Sequence, residues 1–65
     1  MTVKDIVYGP FSRELPIAII DRSTDHHVFL GEVGALMFPE YAHLLERYIC
    51  CIGPISYGDL EIVIQ

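Results

Sequence analysis

Apolar residues in this chain come in short blocks cut by glycine, proline and polar runs, and each block has its own spacing. In Thr2 to Tyr8, the residues Val3, Ile6 and Val7 share one face of a single helical turn, although the segment also fits a short strand. Gly9-Pro10 ends it. From Leu15 the pattern sharpens: Ile17-Ala18-Ile19-Ile20 is β-branched and lies between Pro16 and Asp21, as a buried strand does. The polar run Arg22-Ser23-Thr24-Asp25 predicts a turn. His27 to Leu30 with Val33 predicts a second strand, interrupted at Gly31 by a bulge and ended by Gly34. The connection is too short for a parallel crossover, so these strands should pair as an antiparallel hairpin.

Pro39 stands where a helix places its first residue, and its missing N–H costs nothing there. Tyr41, Leu44, Leu45 and Tyr48 follow at i, i+3, i+4 and i+7 and predict an apolar stripe. Glu40, His43, Glu46 and Arg47 occupy the opposite face, with Glu40 at the helix start and Arg47 at its end, as the helix dipole favours. Ile49 to Ile52 has strand propensity, and Gly53-Pro54 with Tyr57-Gly58-Asp59 marks a turn. Leu60 to Gln65 reads as a closing strand with Leu60, Ile62 and Ile64 on one face. The predicted fold is α+β: a single domain over residues 1–65, built as hairpin, helix, hairpin. Its small four-stranded, mainly antiparallel sheet carries one amphipathic helix packed on a face.

Composition turns this outline toward association. In 65 residues, 52% hydrophobic content exceeds what so small an interior can hide, so part of it should form an interface. The closing strand offers a route: Glu61 is its only charge and it has no proline, so as an open sheet edge it would be poorly defended. A homodimer through Leu60 to Gln65, or through the face beside it, is the expectation. Nine acidic residues against four basic ones give a formal charge of −5. Lys4, Arg13, Arg22 and Arg47 are scattered among acids and form no basic stripe, which disfavours direct nucleic-acid binding. An acidic surface suits a partner protein with a basic face. No stretch is apolar for long enough to span a bilayer, and Met1 to Asp5 is not the start of a secretion signal. The expectation is a cytoplasmic protein without membrane contact, whose adjacent Cys50 and Cys51 are reduced.

His26, His27, His43, Cys50 and Cys51 are zinc-ligand types at unsuitable spacing. Neighbouring residues on a strand point to opposite faces, so neither adjacent pair chelates readily, while a mixed site of one His and one Cys stays open. No metal and no cofactor are expected. Asp25, beside His26 and His27, lacks the nucleophile, oriented partner and cleft that an acid–base site requires, so enzyme activity is not expected and no catalytic residue is assigned. Gly31-Glu32-Val33-Gly34 has neither the glycine spacing nor the lysine of a phosphate loop. Among the aromatics, Phe29, Tyr41 and Tyr48 fit the core. Tyr8, Phe11, Phe38 and Tyr57 stand next to Gly or Pro, either as binding anchors or as lids on the core. The candidate partner-binding residues are Tyr8, Phe11, Phe38, Tyr57, Glu61, Ile62 and Ile64.

Met1 to Ile6, the strand Ile17 to Asp21, the stretch Phe29 to Val33 and the closing strand Leu60 to Ile64 together resemble small proteins encoded by phages and prophages of Gram-positive bacteria. Tyr8 to Glu14 departs from that pattern, with Gly9, Pro10 and Phe11 where a longer helix is usual. The resemblance implies a mobile-element protein acting in a bacterial host cell. Anti-CRISPR and other anti-defence inhibitors, which occlude a host protein's working surface, are among the proteins of that origin. The alternative expectation is a dimeric sponge for a small signal nucleotide, for which only Lys4, Arg13, Arg22 and Arg47 supply charge. A metal-dependent enzyme ranks behind both.

Overall fold

A computed structural model describes residues 1–54 and 60–65. The first element is a helix, α1 (Val3–Val7), which settles the choice between helix and strand at this end. The Asp5 carboxylate caps it by accepting a hydrogen bond from the Thr2 N–H at 2.9 Å. Gly9 closes it, because a Cβ at that position would collide with the carbonyl oxygen of Asp5. Strands β1 (Pro16–Asp21) and β2 (His26–Glu32) form the expected antiparallel hairpin. In the turn, Asp25 takes the left-handed conformation (φ 58°), which aspartate tolerates better than most residues. The Asp21 side chain accepts from the Ser23 N–H at 2.9 Å and the Ser23 hydroxyl at 2.7 Å.

The bulge is not at Gly31, which pairs in register with Ile17. It falls between Ile19 and Ile20, where β2 places the extra residue Val28 between Phe29 and His27. Gly31 serves packing instead: a side chain there would crowd the Phe29 ring, with its Cβ 3.2 Å from Cζ. Val33 has left the strand and opens a 3₁₀ turn, Val33–Met37, which buries Val33 and Leu36 at the i, i+3 spacing that such a turn aligns.

The single helix predicted from Pro39 is broken in two. Pro39–Tyr41 is 3₁₀, and α2 (Ala42–Leu45) is one α-helical turn. Leu44 is buried and Tyr41 and Leu45 pack against the core as the stripe requires, but Tyr48 lies beyond the helix and is 63% exposed. The backbone explains why the helix stops before Tyr48. Arg47 O accepts from Val3 N (3.1 Å), Tyr48 O from Gln65 N (3.0 Å), and Met1 O from Ile49 N (2.9 Å). Residues 47–49 are thus drawn into an extended bridge with the N-terminal segment, and a helix cannot continue through them.

Strands β3 (Ile49–Pro54) and β4 (Leu60–Ile64) pair antiparallel, while the turn residues Tyr57, Gly58 and Asp59 lie outside the described residues. Among the described residues the strands form one sheet in the order β2-β1-β4-β3. The fold class is α+β, and the sheet is mixed: its two hairpins join through β1 and β4, which run parallel. This placement overturns the expectation that the closing strand is an open edge. β4 lies inside the sheet between β1 and β3, so a homodimer cannot pair along it. The inner strands carry one charge each, Asp21 at the end of β1 and Glu61 in β4, whereas the edges β2 and β3 carry His26, His27, Glu32, Gly53 and Pro54.

The core lies between the helical layer and one face of this sheet. Val3, Ile6 and Val7 of α1, with Val33, Leu36 and Leu44, pack on Ile17, Ile19, Phe29, Ile62 and Ile64. Phe29 meets Tyr41 edge to face, with ring centroids 4.9 Å apart.

Candidate binding surfaces

The helical layer covers the sheet face that carries Ile17, Ile19, Ile62 and Ile64, so alternate residues of each strand point the other way. Strand register arranges this second face in rows. Leu30, Ala18, Glu61 and Gly53 lie side by side, and the next row is His27, Ile20, Val63 and Cys51. Val28, at the bulge, stands beside His27. Leu30 is 71% exposed, Val28 and Cys51 are exposed, and Ile20 and Val63 are half-buried outside the core cluster. Among the described residues, no element covers this face.

The candidate residues separate accordingly. Tyr8 is 61% exposed just after α1, and Phe38 is 58% exposed between the two 3₁₀ turns. Phe11 is half-buried and packs against the core, as a lid does. Glu61 is half-exposed on the open sheet face. Tyr57 lies outside the described residues. Ile62 and Ile64 cannot be partner-binding residues: each has zero exposure and points into the core from an inner strand. Among the described residues, five further large apolar side chains are exposed: Met1, Val28, Leu30, Met37 and Tyr48. For Leu30 a signal existed: in Phe29-Leu30, strand alternation sends one residue inward and the other out.

Arg47 ties the sheet to the end of the helical layer. Its Nη2 meets the Asp21 carboxylate at 3.1 Å, its Nε donates to the main-chain oxygen of Gln65 at 2.6 Å, and Nη2 also reaches that oxygen. Hydrogen bonds from the Ser23 hydroxyl and Ser23 N–H, followed by the Arg47 contact, hold the Asp21 carboxyl below its ordinary value of 3.8. A carboxylate depressed by folding contributes stability that is fully present above its unfolded value and is lost as pH falls through the folded one. Urea midpoints of the native protein should therefore fall more steeply below pH 3.8 than those of Asp21→Asn. Parallel pH profiles would show that this site contributes nothing.

Arg22, at the far end of β1, donates from Nη1 to Cys50 Sγ at 3.6 Å, and both cysteines are free thiols. Among the described residues no three His, Cys, Asp or Glu side chains converge as a metal site would need, and no helix is long and apolar enough to cross a membrane. Comparison with protein-family models, curated proteins and solved structures returned no match.

Proposed function

We propose that this chain is a non-catalytic protein-binding module of the phage-encoded kind, which acts in the bacterial cytoplasm by covering a basic surface of a larger host protein. The observation that carries the reading is the pair of exposed aromatics on the helical layer, Tyr8 and Phe38. Rigid aromatic side chains of this size bury much area at little entropic cost and dominate the energetics of interfaces. Acids accompany both: Asp5 lies one turn before Tyr8, and Glu40 two residues after Phe38. α1 packs on the 3₁₀ turn Val33–Met37, which Phe38 directly follows, so one layer carries both anchors. The charge of −5 steers such a surface toward a basic partner.

The test is affinity capture from a Gram-positive lysate, read by mass spectrometry. The native protein should retain a host protein that Tyr8→Ala/Phe38→Ala releases while staying folded, and Glu40→Lys should weaken capture and reduce its salt dependence. Retention undiminished in all these variants, or no specific retention by the native protein, would remove the proposal.

A further inference from the structure

The open sheet face lies opposite the helical layer, and its chemistry goes beyond the host-binding reading. Its centre is largely apolar: Leu30, Val28, Ile20, Val63 and Cys51 surround the buried Ala18, and Glu61 lies in the same row as Ala18. Its charges are segregated along the strand direction. Arg22 follows the end of β1, while Glu32 pairs with Pro16 at the opposite end and Glu61 lies between them, beside Ala18. A partner with a uniformly charged face would meet like charge at one end. A face with the same polarity, turned end for end, meets opposite charge at both ends.

We propose that this face is the interface between two copies of the chain, stacked sheet on sheet about a two-fold axis that crosses the strands. That axis places Arg22 of one copy over the half of the other that carries Glu32 and Glu61, and does so twice, as an isologous interface requires. It also stacks the two largely apolar centres, with sheets about 10 Å apart.

Area agrees with a reversible dimer. Four strands about 4.8 Å apart and about five residues long give a flat footprint of roughly 300 Å². Side-chain relief raises this to about 500 Å² per copy, so the pair buries about 1,000 Å², below the roughly 1,200 Å² where stable interfaces begin and in the range of weak, reversible ones. The two helical layers then face outward, and the dimer presents two copies of Tyr8 and Phe38.

Sedimentation equilibrium at micromolar concentration tests this independently of any host protein. The native chain should show a reversible equilibrium toward twice its 7.4 kDa. Leu30→Glu should be a monomer with an unchanged circular dichroism spectrum, since Leu30 is already 71% exposed. Arg22→Glu should raise the dissociation constant about tenfold, and Arg22→Glu/Glu61→Arg should restore it, because the swap rebuilds opposite charge in both crossings. A native protein that stays at 7.4 kDa overturns the proposal. So does a dimer indifferent to Leu30→Glu, or a double variant no tighter than Arg22→Glu alone.

Discussion

Ile62→Lys is expected to abolish folding. Ile62 has zero exposure and pairs with Ile19 on one side and Ile52 on the other, in the middle of the sheet. A lysine there places an ammonium group in a core cluster made of apolar side chains. An unpaired buried charge costs several kcal/mol, to which the lost isoleucine packing adds about 2–5 kcal/mol. A chain of 65 residues has total stability of order 3–10 kcal/mol, so the variant should lack a cooperative unfolding transition. Val63→Lys is the control. It lies one residue along the same strand on the open face, where the lysine stem can reach water, and should keep the transition. A cooperative, native-like melt for Ile62→Lys would mean that Ile62 does not face the core.

Local periodicity exposed much of this fold. The run Ile17 to Ile20, the polar turn after it and the pairing of the closing strand are all legible because each depends on residues close in sequence. Lateral strand order does not. With Glu61 as its only charge β4 resembles a defenceless edge, yet it lacks edge defences because it has no edge to defend. The sign is Val63: apolar on the outward face, it meets Ile20 on one side and Cys51 on the other, an apolar contact on each flank that an edge strand does not have.

The helical stripe failed at Tyr48 for a related reason, since residues 47–49 meet partners from Met1, Val3 and Gln65, distant in sequence. The candidate site divides along the same line. Tyr8 and Phe38 were legible from the Gly and Pro beside them, whereas the open face becomes visible only once register aligns Leu30, Ala18 and Glu61.

The helical layer supplies the second large effect, in Leu44→Ala. α2 is only Ala42–Leu45, one turn, so intrinsic helix propensity contributes almost nothing to holding it in place. Its position depends on what it buries, and Leu44, 2% exposed, is its one fully buried side chain. It packs in the same cluster as Val3, Ile6 and Leu36, so truncation leaves a cavity where three helical segments and the sheet meet. The expected loss is about 2–5 kcal/mol, which is most of the stability of so short a chain. His43 is its neighbour in the same turn and is exposed; His43→Ala should stay within about half a kcal/mol of the native protein. Because both substitutions sit in one turn of equal helical character, the comparison isolates burial from propensity. Urea midpoints should place Leu44→Ala far below the native protein and His43→Ala beside it. The reverse ranking would show that α2 presents the other side of its turn to the core.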